Sequence, residues 1–178
     1  MNSFYEGERI YFRPVTPEDA DGNYFGWMND TEVTQYLESR FFPVTHDELK
    51  KYIQKTNTTP NTLFLAISTK SDDRHIGNIK LSPINWIHRL AEMGGMIGEK
   101  DCWGKGYATE AFKLIANLAF ERMNLHKITS GSYANNPGSI KALLNAGYVQ
   151  EGIRTKHNFC NGKYVDAVLF GKLRPDLL

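Results

Sequence analysis

Apolar residues recur along the chain with two spacings, and each change of spacing marks an element. RIYFRPV (9–15) alternates apolar and polar positions as a half-buried strand does, and a helix-start signal follows it. Thr16 can cap, Pro17 suits the first helical position, and Asp19 stands three residues past the cap. Thr45 with Glu48 repeats that spacing, after which Leu49, Tyr52 and Ile53 recur at helical intervals. YLESRFFPV (36–44), between the two helices, reads as loop.

TLFLAIS (62–68), HIGNIKLSP (75–83) and LAEMGGMIGE (90–99) read as three consecutive strands, which predicts an antiparallel meander. Over 107–123 the set Phe112, Ile115, Ala116, Ala119, Phe120 and Met123 keeps the helical period, broadened by Ala111, Leu114 and Leu118. HKITSGSYA (126–134) returns to a strand, and NPGSIKALLNAG (136–147) is a short helix that Gly147 can end in the left-handed conformation. YVQEGIR (148–154) is a further strand, and Asn161-Gly162 marks a hairpin leading into the alternating run 164–170.

The order is β, α, α, β, β, β, α, β, α, β, β. It predicts an α+β domain with a mixed, mostly antiparallel twisted sheet of about seven strands flanked by four helices. Only the helices beginning near 107 and 136 sit between strands at crossover length. With 178 residues, the whole span 1–178 is expected to form a single domain.

Composition narrows the function classes. Lys and Arg number 21 against 20 Asp and Glu, so no broad electrostatic footprint for nucleic acid or an anionic membrane is expected. The first residues lack the apolar core of a signal peptide, and no later run approaches the about 18 apolar residues of a membrane span, so a cytoplasmic protein is expected. Cys102 and Cys160 form no CxxC pair, and the five histidines are scattered, so no metal site is expected.

EKDCWGKGYATEA (99–111) carries the sharpest chemical signal. It places Gly104 and Gly106 at the start of a helix, where the first N–H groups lack partners and the helix dipole adds positive charge. With Ala108 also small, a pyrophosphate can lie against the main chain there, although a plain glycine-rich bend has the same appearance. A Walker loop fails because Lys105 is followed by Gly106, and a dinucleotide fingerprint fails because position 109 is Thr.

These residues, together with GERIYFRPVTPEDA, HIGNIKL, AEMGGMIGEKDCWGKGYATEA, HKITSGSYANNPGSIKALLNAGYVQEG and GKYVDAVLFGKL, resemble the GCN5-related N-acetyltransferase (GNAT) superfamily over nearly the whole chain. Within it they are similar to the branch of the ribosomal-protein acetyltransferases RimJ and RimL. Residues 103–108 match the family's pyrophosphate loop except at the first position, where Trp103 is common in that branch.

The resemblance implies the GNAT fold and acetyl-CoA as cosubstrate. Its phosphates would be held by backbone N–H groups from about Gly104 to Thr109, through Lys105, Gly106, Tyr107 and Ala108, with Trp103 beside them. The pantetheine arm would lie between splayed strands ending near Ile97 and Tyr133. An oxyanion-stabilising N–H would come from a bulge near Gly95 or Met96.

Acetyl transfer to an amine needs the amine neutral and a proton for the departing thiolate. An α-amine titrates near about 7.7–8.0 and a lysine near about 10.4, so the demand for a base depends on the acceptor. The resemblance makes Glu92 the first candidate base and Asp166 the second carboxylate. Leu143 stands where many relatives carry a proton-donating tyrosine, which leaves the Ser139 hydroxyl for that part and Asn136 to position the cofactor, although both residues also suit helix capping.

The acceptor would meet Arg40, Trp86, His88 and Tyr133. It is expected to be a small amine such as a nucleotide-linked amino sugar, or a protein N-terminal α-amine; a polyamine would want an acidic pocket that 36–44 and 83–90 do not supply. A catalytically silent acetyl-CoA sensor or scaffold is the other reading, and a monomer or homodimer is expected.

Overall fold

The computed structural model describes residues 3–175. In chain order its regular elements are β1 (Tyr5–Glu6), β2 (Ile10–Pro14), α1 (Asn23–Met28), α2 (Thr31–Thr34), α3 (His46–Thr58), β3 (Leu63–Thr69), β4 (His75–Asn85), β5 (Leu90–Ile97), α4 (Tyr107–Glu121), β6 (Lys127–Tyr133), α5 (Pro137–Asn145), β7 (Val149–Cys160) and β8 (Lys163–Leu173). The strands form one sheet in the order β1-β2-β3-β4-β5-β6-β8-β7. All neighbours are antiparallel except β5 and β6.

The α+β architecture with a mixed, mostly antiparallel sheet expected from the sequence is present, with eight strands and five helices among the described residues rather than seven and four. The extra strand is a two-residue pairing of Tyr5 with Phe12 and Glu6 with Tyr11, too short to show a period. The first expected helix is broken. A 3₁₀ turn over Pro17–Asp21 stops at Gly22, whose backbone is extended, and α1 then gives way to α2, which Asp30 caps by accepting from the Glu32 and Val33 N–H groups.

The sheet carries helices on both faces. On one side Phe112, Ile115 and Leu118 of α4 pack with Ile79, Leu81, Met93 and Ile128. On the other, Tyr24 and Trp27 of α1 and Leu49 and Ile53 of α3 pack with Phe64 and Ala66. Alternation along β5 sorts its side chains accordingly. Ala91 and Met93 are buried toward α4, while Glu92 and Gly94 are exposed on the opposite face.

β5 and β6 pair only from Leu90↔Lys127 to Met93↔Ser130, where the Ser130 hydroxyl donates to the Met93 carbonyl at 2.9 Å. Beyond that point each strand follows its other neighbour, β5 staying with β4 as far as Gly77↔Ile97 and β6 with β8 as far as Tyr133↔Ala167. A wedge-shaped slot therefore opens between residues 94–97 and 131–133. Because parallel strands end on the same side, the helices that follow them, α4 and α5, both begin at its mouth.

Candidate active site

The loop from β5 to α4 is shaped by backbone conformation. Trp103 docks it by donating its indole N–H to the Ile97 carbonyl at 2.8 Å. Gly104 and Gly106 have φ of 71° and 83°, and a Cβ at Gly104 would meet nothing within 4 Å, so glycine is needed there for the left-handed conformation and not for space. Gly106 is the N-cap of α4, and no side chain caps the helix. The first-turn N–H groups of Tyr107, Ala108 and Thr109 are thus free of side-chain caps at the slot mouth, and an uncapped helix start of this kind favours an anion. The Lys105 side chain beside them is exposed and makes no hydrogen bond or ion pair among the described residues.

Arg9, which sequence reading did not single out, holds this loop from behind. Its Nη1 donates to the Lys105 carbonyl at 3.0 Å, its Nε pairs with Glu110 at 2.9 Å, and its guanidinium lies 4.6 Å from the Tyr107 ring centroid. Glu110 also accepts the backbone N–H groups of Arg9 at 2.7 Å and Ile10 at 3.2 Å, tying the start of β2 to the first turn of α4. No local pattern announces a contact between residues 101 positions apart.

At the other lip of the slot Asn136 caps α5, its Oδ1 accepting the Ser139 N–H at 3.1 Å. The Ser139 side chain is half-buried, and its hydroxyl has no hydrogen-bond partner among the described residues. Leu143, one turn further on, is buried in the core.

Glu92 lies one residue before the point where the strands part, opposite Thr129, exposed and with its carboxylate in no ion pair or hydrogen bond among the described residues. The register shift in the β4–β5 hairpin falls between Leu81 and Ile84, opposite Glu92, and not near Gly95 or Met96, which pair regularly with Ile79 and Asn78. Pro83, lacking an N–H, cannot continue the ladder. Asp166 has a structural partner: its carboxylate accepts the Lys156 N–H at 2.7 Å, where the β7–β8 register shifts between Arg154 and Asn158.

The four acceptor candidates fall in two places. Arg40 and Tyr133 meet, Arg40 Nη1 donating to the Tyr133 hydroxyl at 3.2 Å, while Arg40 also donates to the Leu37 and Phe159 carbonyls at 2.6 Å each. That guanidinium fastens the 36–44 segment to β6 and β7. Trp86 and His88 sit instead on the β4–β5 turn at the opposite end of β5, where Trp86 donates to Asn61 at 2.8 Å. None of the four lines the cavity beside β5, and Trp86 and His88 are the further from it, because the residues linking β4 to β5 precede β5 while the slot lies at its end.

That cavity, of about 730 Å³, lies on the α1–α3 face. Residues 94–96 of β5 with Asn78 and Lys80 of β4 form its floor, α1 and α3 its walls, and Phe42 and Pro43 part of its cover. It thus borders the same stretch of β5 that lines the slot.

A family profile described as Acetyltransferase (GNAT) domain matches residues 9–149. The chain belongs to the GNAT acetyltransferases. It is 30% identical over 177 residues to the Probable N-acetyltransferase YjcK of Bacillus subtilis, covering 96% of this chain and 97% of that protein. It is 35% identical over 91 residues to the spermidine N(1)-acetyltransferase of Vibrio cholerae, covering 51% of this chain and 52% of that one. The crystal structure of spermidine N-acetyltransferase from Vibrio cholerae in complex with CoA and spermine is similar with a TM-score of 0.82 at 25% identity, over 94% of this chain and 96% of that one.

As a GNAT enzyme the chain is an acetyl-CoA-dependent N-acetyltransferase, and the slot with its uncapped α4 start fits that cosubstrate. Among the described residues no cluster of His, Cys, Asp or Glu is arranged to hold a metal ion, and no helix is long and apolar enough to cross a membrane.

Proposed function

We propose that this GNAT enzyme acetylates a small primary amine by direct attack, the amine entering through the cavity beside α1 and α3. The observation that carries this reading is the shared strand: residues 94–96 border both the slot and the cavity, so an amine and a thioester brought from the two sides meet at β5. Acetyl-CoA supplies an activated acyl carbon and a thiolate leaving group.

The N–H groups of residues 106–109 hold the phosphates. Glu92, unpaired and on the cavity face of β5, takes the proton of the incoming ammonium directly or through one water. The Ser139 hydroxyl, free at the start of α5, donates toward the departing sulfur. Asn136 holds Ser139 in place.

A small acceptor suits the cover that Arg40 and Tyr36 fasten down, the Tyr36 hydroxyl donating to the Asn135 carbonyl at 2.8 Å. Spermidine is the acceptor that some relatives' names offer. Lys80 on the cavity floor, with no carboxylate in ion-pairing reach among the described residues, opposes a polycation.

The test is thiol release from acetyl-CoA across a panel of primary amines, with product masses, for wild type, Glu92→Gln and Ser139→Ala. Glu92→Gln is expected to lower kcat/KM by about 10²-fold and Ser139→Ala by about tenfold or more. Acetyl-CoA affinity should stay within about twofold in both. Unchanged transfer in either variant removes that residue from the mechanism.

A further inference from the structure

We propose that the cavity floor holds a carboxylate-binding subsite, so that the acceptor is a primary amine that also carries a carboxylate on an apolar body. This assignment rests on reading the cavity as the acceptor site.

The first observation is an orphan. Asn78 is only 3% exposed, yet its Nδ2 has no hydrogen-bond partner, whereas buried amide donors are nearly always paired. Its orientation is decided by a neighbour. His75 Nε2 lies 3.0 Å from the Gly77 carbonyl and 2.9 Å from Asn78 Oδ1. A carbonyl can only accept, so Nε2 carries the hydrogen, Asn78 turns its oxygen to the ring, and its NH₂, on a residue of the cavity lining, is left without a partner. The ring itself is clamped, with Nδ1 at 3.5 Å from Asp19 and Trp27 edge-on at 4.9 Å.

The second observation is Lys80, two residues along the same face and likewise part of the cavity floor. Its closest polar contact is the Tyr52 hydroxyl at 3.5 Å, and no carboxylate lies within ion-pairing reach among the described residues. The cavity's carboxylates, Glu38 and Glu48, are exposed, and Glu48 is occupied by the Thr45 N–H and hydroxyl at 2.9 and 2.8 Å.

Asn78 Nδ2, Lys80 Nζ and the Tyr52 hydroxyl thus offer three donors in a cavity otherwise lined by groups such as Met28, Leu37 and Phe42. A carboxylate satisfies the orphan amide and the unpaired ammonium together, while the ammonium of a polyamine satisfies neither.

Position links the subsite to the chemistry. Lys80 pairs with Gly94 and Asn78 with Met96, whereas Glu92 is the preceding residue on the same face of β5. Each two-residue step along a strand is about 7 Å, so an amine beside Glu92 lies about one step from Lys80 and two from Asn78, with its carboxylate several bonds away.

The experiment uses the CoA-saturated protein and three probes of matched length: 6-aminohexanoate, hexanoate and 1,6-diaminohexane. Binding is measured calorimetrically, acetylation of the two amines by product mass, and acetyl-CoA affinity alongside. Wild type is expected to bind both carboxylates at least about tenfold tighter than the diamine. Lys80→Met, at a half-buried position, should erase that advantage and Lys80→Glu invert it, with acetyl-CoA affinity unchanged.

Equal or tighter binding of the diamine, or no saturable binding of hexanoate, overturns the subsite while leaving acetyl transfer to other amines intact. Carboxylate binding in the cavity with 6-aminohexanoate left unacetylated overturns its role as the acceptor site. Loss of acetyl-CoA binding in wild type instead overturns the acetyltransferase reading itself.

Discussion

Replacing Glu110 tests whether the loop between β5 and α4 is held from behind by the start of β2. Three donors converge on this carboxylate: the Arg9 N–H, the Ile10 N–H and the Arg9 guanidinium. They are not equal. Ile10 is fully buried, so losing its acceptor leaves an unpaired donor worth about 1–3 kcal/mol. Arg9 is exposed enough for water to replace the carboxylate at its N–H, and the ion pair, with the Arg9 side chain 44% exposed, contributes about 0–1 kcal/mol.

Glu110→Ala should therefore cost about 1–4 kcal/mol and lower Tm by roughly 2–16 °C for a chain of this size. Glu110→Gln keeps an oxygen for both backbone donors and should cost less than about 1 kcal/mol. Urea and thermal unfolding measure both variants. Acetyl-CoA affinity should fall with Glu110→Ala, because Arg9 then has less to hold it against the Lys105 carbonyl. If the two variants are equally stable, the backbone bonds do not carry the energy and the reasoning fails.

Other expectations follow from single contacts. Gly106→Ala forces a Cβ into a backbone at φ 83° and should destabilise by about 1–2 kcal/mol while weakening acetyl-CoA binding; an unchanged Tm would count against the strain. Burial opposes ionisation of Asp19, but Arg13, His75 and the Thr16 N–H outweigh it and hold the carboxyl far below its usual range. Its folded value lies below its unfolded one, so its stabilisation is complete above about pH 4 and drains away as the pH falls toward the folded value. Asp19→Asn should flatten that acid limb of a Tm-against-pH curve. Asp166→Asn keeps an oxygen for the Lys156 N–H and should leave kcat within about threefold; a loss of about 10²-fold would return Asp166 to the chemistry.

The elements and the glycine loop before α4 were legible because their causes are local. Helical period gave α4, Thr45 with Glu48 gave the start of α3, and two glycines that need left-handed backbone gave the loop before α4. The break at Gly22 and the two-residue β1 were not, since neither leaves a period to read. Asn136 and Ser139 could be placed at a helix start from spacing, but that the Ser139 hydroxyl is left free depends on what surrounds it.

Contacts between distant residues had no such signature. Arg9 reaches Glu110 across 101 positions, and Arg40 reaches Phe159 across 119. Period tells which face of an element is buried and nothing about which neighbour buries it, so Trp86 and Arg40 looked like one pocket and the fold put them apart. The slot itself is a disagreement between two strands over which neighbour to follow, and it exists only once β4 and β8 are in register on either side. Local chemistry therefore determined the parts and the left-handed glycine loop before α4, while the slot, the cavity and the unpaired Asn78 amide belong to packing alone, because each is defined by what long-range pairing leaves unfilled.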